Sequence, residues 1–213
     1  MKLQRCAFLL VLLAVSISSF GAIRSVPDQY SSIQLAIDHS EDGDTVLVAP
    51  GLYEECIDFK SKNITVTSVD PNDPQVVTDT VIKGDGTGSV VALMAGEDDR
   101  AVLTGFTITG GYGSPDPDYD DSIVGAGVYC YRSSPTIRRN FIAGNNAPKG
   151  QDGIYGFGGG ICCIEASPTI VCNTIRDNSA YKGAGIFVDM GEVRIAGNLI
   201  YGNVALEGGG ARL

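Results

Sequence analysis

The chain has 213 residues, 44% of them hydrophobic, enough to bury a sizeable core and to exclude a disordered chain. A formal net charge of −10 argues against nucleic acid, whose phosphates need a basic face, and equally against a grip on anionic lipid. Twenty-eight glycines and no tryptophan fit a protein built from many tight turns.

At the N-terminus, Lys2 and Arg5 flank an apolar run over residues 6–17 that is short for a membrane helix. Ser19 and Gly21 place small residues at the −3 and −1 positions of a cleavage site. These features predict a signal peptide over residues 1–21, one exported domain over residues 22–213, and no membrane span once the signal is removed. The alternative is an uncleaved anchor. Cys6 precedes the apolar run, which argues against a lipoprotein.

Next, Ser31-Ser32-Ile33-Gln34-Leu35-Ala36-Ile37 predicts a short helix over residues 32–39, with Ser31 and Gln34 in capping-box spacing. His39, the one histidine, falls at the helix end, a better place for a cation than for a metal ligand. Asp42-Gly43-Asp44 turns into a strand over residues 45–49, and Pro50-Gly51 turns again. Residues 63–68 and 102–109 read as further strands. Asp116, Asp118, Asp120 and Asp121 then crowd one loop, where four carboxylates in six residues can supply oxygen ligands to calcium. Their spacing is not that of an EF-hand, and a solvated acidic loop is the favoured reading. No other cofactor is implied. Asp85, in Gly84-Asp85-Gly86, reads as a turn residue.

From Gly125 onward the chain repeats itself. GAGVYCYRSSPTIRRNFIAGNNA is followed by GGGICCIEASPTIVCNTIRDNSA, then by GAGIFVDMGEVRIAGNLIYGNVA, and Gly208 opens a fourth copy. The copies start 33, 25 and 25 residues apart, the long step holding an insertion over residues 148–155. Such a period marks a solenoid, because one copy cannot bury its own apolar face. Val128, Ile161 and Ile186 align, as do Cys130, Cys163 and Val188, with Tyr129, Cys162 and Phe187 between them expected to point outward. Ile137, Ile170 and Ile195 align next, then Ile142, Ile175 and Ile200. Period-two alternation between glycine, asparagine and Ser-Pro turns predicts short strands rather than helices. Asn140, Asn173 and Asn198 repeat, as do Asn145, Asn178 and Asn203. They are expected at corners, tolerating a left-handed backbone and bonding amide to amide between coils.

The repeat closely resembles tandem repeats of large exported bacterial surface proteins, within the right-handed β-helix proteins of the pectate-lyase-like superfold. Its glycine-triplet and asparagine spacing is also similar to that of polymorphic outer-membrane adhesins. The opening SIQ.AID…GDTV.V.PG.Y.E resembles the start of pectin methylesterase-type β-helices, where a helix covers the open end of the solenoid. The fold implied is all-β: a right-handed parallel β-helix of three sheets, about 25 residues per coil, with a short N-terminal capping helix. The chain stops after a glycine turn that should begin another coil. That predicts missing C-terminal coils, or a cover supplied by a partner or by self-association.

The superfold's chemistries find little to carry them. Polygalacturonase-like hydrolysis needs paired carboxylates and a histidine motif that is absent. The methylesterase-like glutamine, aspartate and arginine motifs are absent too. Lyase chemistry looks for calcium carboxylates plus a base, a role Arg138, Arg139 or Lys149 fills only by speculation. No catalytic residue is assigned. Five cysteines remain after signal removal, Cys56, Cys130, Cys162, Cys163 and Cys172, with no Cys-x-x-Cys pair. Cys130 and Cys163 are expected to stack in adjacent coils as reduced core groups. The expectation is a secreted or cell-surface β-helix that binds polysaccharide or cell-surface glycan, or acts as a scaffold, without catalysis. Tyr129, Tyr131, Phe187 and Tyr201 are the candidate sugar-stacking rings. The alternative is a polysaccharide lyase or related enzyme whose site lies partly in missing coils.

Overall fold

In the computed structural model the described residues are 21–94, 96–116, 122–148 and 155–213, so the signal segment up to residue 20 lies outside them. The chain winds as a parallel β-helix whose successive coils add strands to the same sheets. Sheet 1 stacks Ile23–Val26, Thr45–Val48, Thr65–Ser68, Val102–Thr104, Thr136–Arg138, Thr169–Val171 and Arg194–Ala196. Sheet 2 stacks Gly51–Glu54, Thr80–Lys83, Thr107–Thr109, Phe141–Ala143, Thr174–Arg176 and Leu199–Tyr201. Sheet 3 stacks Ile57–Asp58, Val91–Leu93, Val128–Tyr131, Ile161–Ile164, Ile186–Asp189 and Ala211–Arg212. The run over residues 102–109 is two strands, because Gly105 turns a corner between them at φ +86°.

Register follows the repeat. Val128 lies beside Ile161 and Ile161 beside Ile186; Ile137, Ile170 and Ile195 form one file and Ile142, Ile175 and Ile200 another. Alternation sends these side chains inward, where Val128, Ile137, Ile142, Ile161, Ile170 and Ile175 are fully buried in one continuous core. Cys130 lies in register with Cys163, both buried and both free thiols.

The repeated Gly-x-Gly has two separate causes. Its first glycine needs a left-handed backbone, with φ of +58°, +66°, +58° and +64° at Gly125, Gly158, Gly183 and Gly208. Its third glycine allows close approach: a Cβ on Gly160 would lie 2.6 Å from the Gly185 carbonyl oxygen and 3.1 Å from Asn178 Nδ2.

The asparagines do stand at corners, but not in the left-handed conformation expected of them. That conformation belongs to the preceding residues: Arg139, Cys172 and Gly197 in one column, Gly144, Asp177 and Gly202 in the other. The asparagines keep ordinary φ and use their amides to tie coils together. Asn140 Nδ2 donates to Asn173 Oδ1 (3.2 Å), and Asn173 Nδ2 to Asn198 Oδ1 (3.0 Å). Asn145, Asn178 and Asn203 repeat the pattern at 3.0 Å.

Helix α1 spans Ile33–Asp38, and its N-cap is Ser32, one residue later than expected, with Oγ accepting from the Leu35 amide (3.2 Å). Gln34 makes no capping box; Glu55 reaches across to accept from the Ile33 and Gln34 amides, each at 2.9 Å. His39 is the C-cap, with Nδ1 2.8 Å from the Leu35 carbonyl. Ile33, Ala36 and Ile37 join the main core, so α1 covers its first coils. A second helix, α2, spans Pro74–Asp79 and was not foreseen; Asp73 caps it and Pro74 starts it.

A fourth sheet flanks the three. It pairs Ser114–Asp116 antiparallel with Ser122–Val124, then adds Gly156–Phe157, Ser179–Lys182 and Asn146–Ala147, with Val204–Glu207 on Ser179–Lys182. The hairpin and the insertion after Ala147 both leave from this side, whereas α2 is inserted between sheets 1 and 2.

Candidate functional site

Tyr129 and Phe187 point outward from the main core, yet they are not a surface. They are 2% and 5% exposed, packed with Val124, Phe157, Cys162 and Ile164 in a second, smaller core outside sheet 3. The strands Ser122–Val124 and Gly156–Phe157 supply the cover, and the Phe157 and Phe187 rings stack at 4.9 Å. In a single-layer solenoid this outward column would be exposed; here a second layer covers it. The signal was present: three apolar residues in one outward file of a sheet require a second layer. Tyr131 is half-buried and Tyr201 is exposed.

Asp116 is also inside, not solvated as the loop was expected to be. It is 5% exposed and accepts a hydrogen bond from the Tyr129 hydroxyl, which satisfies both groups within the second core. Burial, reinforced by that carboxylate, pushes the Tyr129 phenol far above its ordinary range. Asp118, Asp120 and Asp121, the other candidate calcium ligands, lie outside the described residues, as does Lys149. Among the described residues no group of three or more histidine, cysteine, aspartate or glutamate side chains is arranged to hold a metal. Arg138 and Arg139 stand on sheet 1 and at its corner, on a different sheet from Asp116.

What the fourth sheet does expose is a groove. Residues 179–182 pair first with Asn146–Ala147 and then, at Lys182, with Phe157. The insertion therefore leaves the coil opposite a single residue, Tyr181. Tyr155 returns from it to pack on Tyr181 with ring centroids 4.6 Å apart. Beside them lies an open cavity of about 310 Å³, lined by Asn146, Pro148, Ser179, Tyr181, Val204 and Leu206 among others. Ser179 Oγ donates to Asn146 Oδ1 at 2.7 Å across its floor. Aromatic wall, polar floor and apolar rim lie together, a set that can hold a flat amphipathic ring and orient its hydroxyls.

Residues 58–210, well over half of the chain, match a family described as "Protein of unknown function (DUF1565)". The chain belongs to this family. The DUF1565 family is β-helix-like, in agreement with the sheets described above. No curated protein matches the chain. The matched DUF1565 region holds both asparagine columns, the second core and the groove, while α1 precedes it.

Proposed function

We propose that this DUF1565 chain is an exported β-helix of the right-handed, pectate-lyase-like kind that binds polysaccharide or cell-surface glycan without turning it over. Export rests on Lys2, Arg5, the apolar run behind them and the small residues at Ser19 and Gly21. The observation that carries the binding reading is the groove of the fourth sheet, with Tyr181 as its aromatic wall, Tyr155 packed against that ring, and Asn146 and Ser179 on its floor. This moves the sugar-stacking role from Tyr129 and Phe187, which are buried, to Tyr181, which is half-buried and lines the groove. For a cation, the reading offers calcium at the carboxylates of Asp118, Asp120 and Asp121, since Asp116 is engaged by Tyr129.

The test is affinity electrophoresis of the purified chain against a panel of neutral and acidic polysaccharides, with and without calcium. Retention by at least one glycan should fall about tenfold in Tyr181→Ala, equivalent to about 1.4 kcal/mol, and remain unchanged in Tyr129→Phe. Unsaturated products that disappear in Arg138→Gln would instead establish a lyase. Unchanged retention in Tyr181→Ala would remove the groove as the site.

A further inference from the structure

Electrostatics point to a second surface. In a chain of net charge −10, most cations should find carboxylates close by, and most do. Arg24, Lys60, Lys83, Arg100, Arg132, Arg176, Lys182 and Arg212 each form an ion pair, and Lys62 donates to the Ile37 and Asp38 carbonyls. Among the described residues the side chains of Arg138, Arg139 and Arg194 are left without such a partner. All three belong to the same part of the molecule. Arg138 and Arg194 are on the outward side of sheet 1, flanking the inward Ile137 and Ile195, and Arg139 turns the corner next to Arg138.

From this grouping we infer that the outer face of sheet 1 binds a linear polysaccharide carrying carboxylate or sulfate groups. This surface is separate from the groove of the fourth sheet. Arg138 pairs in register with Val171, and Arg194 with Thr169, so one strand lies between the arginines' own strands and their register positions differ by two residues. Strand spacing of ~4.8 Å and a rise of ~3.3 Å per residue set their Cα atoms roughly 12 Å apart. That span exceeds one small anion and suits successive charges on an extended chain. Between them the two outward columns present Thr136, Thr169, Val171 and Ala196, with no carboxylate. Hydroxyl and small apolar groups between spaced cations complement a chain of hydroxylated rings that carries a charge only at intervals.

Two further observations indicate a ligand rather than idle charge. Arg138 Nε is shielded from water with no hydrogen-bond partner, and so is Oγ1 of Thr104, its register neighbour, which is 2% exposed. A buried polar group without a protein partner calls for an explanation, and a bound water, ion or ligand is one. Arg139 also lines a cleft of about 220 Å³ with Phe141, Cys172, Pro71 and Pro74, which gives the chain a pocketed end. Duplex nucleic acid fits poorly. Its charge density of one per about 1.7 Å of axis meets three spaced cations on an otherwise acidic protein.

The experiment measures retention of the full purified chain, in chelator, on immobilised polyuronate, dextran sulfate, neutral dextran and duplex DNA. The wild type should bind one or both acidic glycans and not neutral dextran, with affinity falling as salt rises. The triple variant Arg138→Gln/Arg139→Gln/Arg194→Gln should lose at least tenfold and show a shallower salt dependence. The matching arginine-to-lysine triple, which keeps charge and controls for folding, should stay within about threefold of wild type. The paired-cation control Arg100→Gln/Arg176→Gln and the groove variant Tyr181→Ala should bind acidic glycan as wild type does, so this site and the groove fail independently. Relative affinity for polyuronate and dextran sulfate identifies which anionic group is read. No retention of wild type on either acidic glycan, equal loss in the paired-cation control, or tighter binding to duplex DNA would overturn the inference.

Discussion

Asn173 Nδ2 donates to the Ile137 carbonyl of the preceding coil (2.9 Å) and to Asn198 Oδ1 of the next, while its own Oδ1 accepts from the backbone and side-chain nitrogens of Asn140. One side chain therefore serves three coils, and it is 2% exposed. Replacing it with alanine strands several buried groups at once, where each unsatisfied group costs about 1–3 kcal/mol. Asn173→Ala should destabilise the fold by about 2–4 kcal/mol in denaturant titration. Asn198→Ala, at a part-buried position, should cost roughly half as much. Equal costs would show that the column does not act as a linked row. The role of these residues as ties between coils was legible from their equal spacing. Their backbone was not, because sequence gives residue preference but not which of two neighbouring positions takes the strain. The fold places it on Arg139, Cys172 and Asp177 as readily as on glycine.

Between elements, Asp44 joins the first two strands of sheet 1. Its carboxylate accepts from the Ala22 amide (2.6 Å), the Glu41 amide (3.0 Å) and Nε and Nη2 of Arg24 (2.9 and 2.8 Å). Burial pushes its pKa upward, but the Glu41 and Ala22 amides and the Arg24 guanidinium outweigh that and hold it below the usual carboxylate range. A depressed folded-state pKa means the stabilisation is complete above the unfolded value of about 3.9 and is lost as pH falls through the folded value. Asp44→Asn should cost about 1.5–3 kcal/mol at neutral pH, the worth of a hydrogen bond to a charged group. It should also flatten the acid limb of stability below about pH 4. Chemical denaturation at several pH values checks both, and an acid limb unchanged in the variant would remove Asp44 as its source. The strand after Asp42-Gly43-Asp44 could be read from sequence. The binding of Asp44 to residues twenty positions earlier could not, since it depends on which coils become neighbours. Helix α2 was legible in part, Asp73-Pro74 being a start signal, but its six residues carry too little periodicity to stand out. The fourth sheet was hidden for a related reason, since several of its strands are two to three residues long.

Across the whole molecule, cysteine reactivity should report the layered core. Cys130, Cys162 and Cys163 are fully buried. The Cys130 thiol is pushed well upward by its hydrogen bond with Cys163 and by burial, and burial does the same to Cys162. Cys172 is exposed at a corner, and Cys56 is intermediate. Mass spectrometry after alkylation of the native protein should find Cys172 modified first and Cys56 more slowly. The other three should react only on unfolding, and all five should then count as free thiols. Early modification of Cys162 would show the second core to be loose, and a Cys130–Cys163 bridge would contradict stacking as thiols. The stacking was readable from their equal offsets in the repeat, whereas the burial of Cys162 depended on the unforeseen layer.

The two long excursions, the hairpin around Ser114–Asp116 and Ser122–Val124 and the insertion between Ala147 and Gly156, both leave from the fourth sheet. In the coils from Gly125 onward the other three sides are locked in circumference by the glycine approach and the asparagine rows, where one extra residue would shift every side chain above and below. In that part of the molecule the outline can grow on one side while the axis stays fixed. Chain added there lands beside Tyr181 and over Tyr129, so a change in coil length becomes a change in the shape of the groove rather than in the frame that carries it.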